Sequence, residues 1–133
     1  MSSEKNKYLL DTFAWIEYFI GSKKGKTVKN LIENGKIYTS IISIAELSDK
    51  YYREGLHVEW KERYKFIISN SKIVPLSIEV AKNSGPRKWK LRESMEEIGL
   101  ADASIIETAF HNDLSVVSGD PHFENLEKTI FLK

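Results

Sequence analysis

A chain of 133 residues is long enough for one domain with a proper core and too short for two. Its 20 lysines and arginines nearly cancel its 19 acidic residues, so a net charge of +1 excludes a basic field over the whole surface. Any nucleic-acid contact has to be local. With no cysteine, disulfides, zinc–thiolate sites and thiol nucleophiles are excluded. The polar start from Met1 to Lys7 lacks the apolar run of a signal peptide, and nothing later approaches about 20 uninterrupted apolar residues. The expectation is a single cytoplasmic domain over residues 1–133 with no membrane partner.

Tyr8-Leu9-Leu10 is a short apolar run ending at Asp11 and predicts a buried first strand. From Thr12 to Ile20, Phe13, Ile16 and Phe19-Ile20 lie on a helical stripe that Gly21 stops. Lys24 to Glu33 carries Val28, Leu31 and Ile32 on one face, a second helix closed by Asn34-Gly35. Ile37 to Ile42 is β-branched and aromatic, hence a strand. Helix resumes at Ile44 and runs to about Arg53, with Gly55 as its stop, and another amphipathic helix spans Val58 to Ser69.

Ser71 to Pro75, built on Ile73-Val74, predicts a third strand. Ile78 to Trp89 is helical in pattern, although Gly85-Pro86 should end or bend it. The basic, aromatic stretch from Arg87 to Arg92 has no clear periodicity. Leu100 to Asn112 is a strong helix, Ser115 to Ser118 a strand, and Ile130-Phe131 a short last strand. Short apolar strands alternating with helices predict a three-layer α/β/α sandwich around a mainly parallel sheet. Right-handed crossovers then bring every strand's carboxyl end to one edge, where open sheets bind ligands.

Four acidic residues from distant segments fall at that edge. Asp11 follows the first strand and caps the first helix. Glu46 stands three residues after Ser43 in a capping-box pattern, Ser43-Ile44-Ala45-Glu46. Asp102 lies in the first turn of its helix, and Asp120 precedes Pro121 as a cap would. Each has an ordinary explanation alone. Together they concentrate negative charge at one end of the molecule, which disfavours ionisation unless a cation compensates it. Magnesium, which binds a few carboxylates and keeps several waters, suits such a cluster. Asp102 also shares a helical face with Ile105, Ile106 and Ala109, and no lysine or arginine lies within a turn of it. A carboxylate on a core-facing stripe needs a partner.

Leu9-Leu10-Asp11-Thr12, Ile44-Ala45-Glu46-Leu47, Ala101-Asp102-Ala103 and Ser118-Gly119-Asp120-Pro121-His122-Phe123 resemble, in order, the motifs of the PIN-domain ribonucleases. Within that family the chain is most similar to the VapC-type toxins of toxin–antitoxin modules. The resemblance implies that Asp11, Glu46, Asp102 and Asp120 bind Mg²⁺ or Mn²⁺ and carry out catalysis, supported by the hydroxyls of Thr12 and Ser118. It implies endonucleolytic hydrolysis of RNA to a 3′-hydroxyl and a 5′-phosphate, with an antitoxin protein and a second copy of the chain as expected partners. One departure stands out. Many relatives place another acid two residues after the last one, where this chain has His122.

Arg87, Lys88, Lys90 and Arg92, with Trp89 among them, are candidates to hold an RNA backbone and stack a base. His122 has no neighbouring nucleophile to activate and reads as structural or exposed, as do His57 and His111. Tyr51, Tyr52 and Trp60 read as core or dimer-interface aromatics. Two rivals have different sequence requirements. A receiver-type phosphoryl-transfer domain wants adjacent acids early in the chain, whereas Asp11 stands alone after its strand. A non-catalytic interaction module would not need all four acids.

Overall fold

Leu9 and Leu10 are both fully buried although neighbouring strand residues point to opposite faces, so both faces of the sheet must be covered. The computed structural model describes residues 6–133 and shows how. The chain runs β1 (Lys7–Leu10), α1 (Thr12–Ile20), α2 (Lys23–Asn34), β2 (Lys36–Ser40), α3 (Ile41–Arg53), α4 (His57–Asn70) and β3 (Lys72–Val74). It continues through α5 (Ile78–Leu91), α6 (Leu100–His111), β4 (Ser115–Ser118), a 3₁₀ turn at Pro121–Phe123 and β5 (Thr129–Phe131). All strand pairs are parallel, in the order β3-β2-β1-β4-β5.

Leu10 and Val117 face a core built with Trp15 of α1, Val28 of α2, Leu47 of α3 and Ile67 of α4. Leu9 and Val116 face the other, built with Leu91 of α5 and Ile105, Ile106 and Ala109 of α6. The predicted three-layer sandwich is therefore the observed one. From β1 the chain winds outward through β2 to β3, then returns across the sheet to β4 on the other side of β1. The direction of winding reverses there, and doubly wound sheets bind ligands at such a switch point.

Three local expectations need correction. The predicted strand to Ile42 ends at Ser40, whose hydroxyl accepts the Ile42 amide at 3.0 Å and starts α3 there. Ser43 is consequently inside the helix and fully buried, so the Ser43–Glu46 capping box does not form. Glu46 is thereby freed for another partner. Helix α5 also passes through Gly85-Pro86 to Leu91. A proline inside a helix costs about 3 kcal/mol, but Val80, Ser84 and Leu91 are buried, and α5 makes its principal packing against α6. That packing holds the segment helical beyond the point where local propensity would release it.

Glycine serves close approach at two places. A Cβ on Gly25 would lie 2.0 Å from the Glu17 carbonyl oxygen, so α2 packs on α1 only without one. A Cβ on Gly119 would lie 2.5 Å from the Phe13 ring, so the loop after β4 sits directly on α1.

Candidate metal centre

Each of the four acids reaches the carboxyl edge by a different local device. Asp11 follows β1 and caps α1, its Oδ1 accepting the Ala14 amide at 2.8 Å, while its own amide donates to Val117 of β4 at 3.2 Å. Asp120 follows β4 and caps the 3₁₀ turn, its Oδ1 accepting the His122 amide at 3.0 Å. Asp102 comes from the first turn of α6, and Glu46 from the second turn of α3. The cap roles read from sequence for Asp11 and Asp120 are real, and they aim these side chains toward a shared space.

That space is a cavity of about 370 Å³ lined by all four acids together with Thr12, Phe13 and Ile16. Thr12 donates its hydroxyl to Glu46 Oε1 at 2.5 Å, tying α1 to α3 across the cavity. The Ser118 hydroxyl accepts the Asp120 amide at 3.0 Å and also hydrogen-bonds the Asp11 carboxylate, so it links the acids on either side of the switch point.

The electrostatics is that of a site short of positive charge. Asp11 is only 4 % exposed, and burial pushes its carboxyl up to about 7. The Ser118 and Ala14 hydrogen bonds favour ionisation, but Asp102 and Asp120 oppose it. Burial also raises Asp102 to about 6, with Glu46 and Asp120 adding to the rise and His122 countering it. Among the described residues no lysine or arginine forms an ion pair with any of the four acids.

The cavity has a second rim that sequence reasoning missed. Asp49, Lys50 and Arg53 of α3 line it beside Glu46. The signal was present: Glu46, Lys50 and Arg53 are spaced i, i+4, i+7, one helical face. Lys50 pairs with Glu54 at 2.5 Å and Arg53 with Asp49 at 2.6 Å, so both cations are held at the mouth of the site.

The basic stretch of α5 lies elsewhere. Arg87 and Lys90 border a neighbouring cavity of about 620 Å³ that also contains Pro121 and His122, so it adjoins the acidic cavity without entering it. Arg87 is already engaged, donating Nε to Glu107 Oε1 at 2.8 Å and lying over the Phe110 ring. Arg92 Nε donates to the Ile98 carbonyl at 2.9 Å. Lys88 and Arg92 flank the ring of Trp89, which is 64 % exposed. Of the other aromatics, Tyr51 is core and Trp60 packs against it, whereas Tyr52 is exposed and stacks on His57.

Fold and site define a class: a parallel α/β sandwich with a carboxylate-lined cleft at its switch point. The chain belongs to the PIN-domain family, whose model matches residues 8–129. No curated protein matches the sequence. Similar solved structures include the DNA-bound VapBC2 of Rickettsia felis, 19 % identical, TM-score 0.74, with 93 % of this chain and 96 % of that one covered. The DNA-bound VapBC of Salmonella typhimurium is 20 % identical with TM-score 0.74, covering 94 % and 96 %. The sarcin-ricin loop cleaving toxin VapC20 of Mycobacterium tuberculosis is 16 % identical with TM-score 0.70, covering 87 % and 92 %. At these identities the likeness is one of fold.

Proposed function

We propose that this chain is a metal-dependent endoribonuclease and the toxin of a toxin–antitoxin pair. The observation that carries the reading is the convergence of Asp11, Glu46, Asp102 and Asp120 on one cavity, with the carboxyls of Asp11 and Asp102 raised and no basic ion-pair partner among the described residues. The donor set fits Mg²⁺ or Mn²⁺: hard carboxylate oxygens, few in number, at an open cleft that leaves room for water and phosphate. When bound, such an ion supplies a water of lowered pKa and positive charge beside the scissile phosphate.

The chain's own residues do the rest. Asp11, Glu46, Asp102 and Asp120, which line one cavity, would hold the cation. Thr12 and Ser118 fix the rotamers of Glu46 and Asp11 by hydrogen bonds, and the caps fix the backbone beneath Asp11 and Asp120. Lys50 and Arg53 at the rim are placed to meet the RNA backbone, and Lys90 of the neighbouring cavity that holds His122, with Lys88 and Arg92 beside the exposed Trp89, could extend that contact. An inert interaction module would gain nothing from four mutually repelling carboxylates.

An antitoxin partner is supported by the neighbours that are VapBC complexes. No helix among the described residues is long and apolar enough to cross a membrane, in keeping with a cytoplasmic setting. The decisive experiment is cleavage of mixed cellular RNA with and without Mg²⁺ or Mn²⁺, comparing the native chain with Asp102→Asn. Metal-dependent cleavage that disappears in the variant is the expected result. Equal behaviour of the two chains would overturn the reading.

A further inference from the structure

His122 stands where many relatives carry an acid, and its surroundings are those of a metal ligand. Its side chain is 35 % exposed, but Nδ1 is itself buried and has no hydrogen-bond partner among the described residues. It sits 3.1 Å from Asp120 Oδ1 without the alignment of a hydrogen bond. A nitrogen so placed beside a carboxylate is open to a further partner. Donor atoms of Asp102, Asp120 and His122 also lie within 4.8 Å of one another. The 3.1 Å spacing would let both atoms serve one ion.

We propose that His122 coordinates the catalytic cation through a ring nitrogen, together with Asp102 and Asp120, and so turns the site from magnesium toward manganese. This rests on the nuclease reading above. The chemical reason is ligand preference. Magnesium favours oxygen donors alone, whereas ions further along the transition series accept imidazole readily. An acid at position 122 would add a further negative charge and an oxygen donor. Histidine instead supplies a neutral nitrogen, which lowers the total negative charge of the site and keeps one selective bond. Asp120 and His122 belong to one 3₁₀ turn, so the two ligands are carried on a single rigid unit.

The test is binding of Mn²⁺ and Mg²⁺ by the full-length chain, measured by calorimetry and by pulsed electron paramagnetic resonance of the Mn²⁺ complex. The native protein should show hyperfine coupling from a directly bonded ¹⁴N, and His122→Asn and His122→Asp should lose it. The ratio of Mn²⁺ to Mg²⁺ affinity should fall roughly tenfold in His122→Asp, the size expected for a change in one ligand around the metal. Tight Mn²⁺ binding with oxygen-only surroundings in the native chain would overturn the role of His122 and leave the nuclease reading intact. Failure of the native chain to bind either ion would overturn both.

Discussion

Asp11 accepts the Ala14 amide as any good helix cap does, yet the burial that accompanies the role lifts its carboxyl to about 7. Unfolded, both Asp11 and Asp102 ionise near 3.8; folded, Asp11 holds its proton to about 7 and Asp102 to about 6. Between these values the native state binds more protons than the unfolded chain. Without metal, the contribution of these two groups to stability is therefore full below about pH 4 and is lost as pH rises to about 7, by a few kcal/mol in total. Thermal melts in chelator from pH 4 to 8 should show that decline, and Asp11→Asn should flatten it. Added Mg²⁺ or Mn²⁺ should restore stability at pH 7 and release protons in doing so. Arg87 illustrates the opposite kind of residue. Its partner Glu107 is nearly buried, so Arg87→Ala strands a carboxylate and should cost roughly 2–4 kcal/mol in denaturant unfolding. The sequence showed Arg87 as a positive charge in a basic run, because Glu107 lies 20 positions away and only the packing of α5 on α6 joins them. Three of the acids were legible for a different reason: Asp11 and Asp120 follow strands and Asp102 opens a helix, and topology brings those points to one edge, whereas Glu46 lies a turn deeper in its helix than its pattern implied.

Among the elements, period and punctuation located nearly everything. The α1 stripe and its Gly21 stop match the observed helix, which ends in a left-handed Gly21 with φ of 70°. What escaped was the Ser40–Ser43 choice of cap, since two serines three residues apart offer equivalent local chemistry and only burial of Ser43 decides between them. The helix from Ile78 was legible in the pattern, but its unbroken run past Gly85-Pro86 was not, because that depends on contacts with α6 that no local window contains. The tightest element contact gives a direct test. Gly25→Ala places a methyl group against the Glu17 carbonyl and should destabilise the fold by roughly 1–3 kcal/mol, read from the urea midpoint. A neutral result would mean that α2 can slide on α1.

At the scale of the molecule, a net charge of +1 means that the RNA affinity the proposed function requires would come from local contacts. Each phosphate contact to a single strand contributes about −0.7 to the slope of log K against log salt. Replacing Lys50 and Arg53 together by alanine should therefore weaken RNA binding and flatten that slope by roughly 1.4, with the metal affinity of the site little changed. An unaltered slope would remove α3 from the RNA path. The contact of Gly119 with Phe13 bears on how such a protein begins to act. Because the Phe13 ring packs directly against Gly119, protein atoms alone fix the gap between the loop of Asp120 and the helix that Asp11 caps. On the proposed nuclease reading, restraint of the folded protein would be a matter of covering that cleft or withholding the ion, and once either is lifted the delay before the first cut would be the time of an encounter.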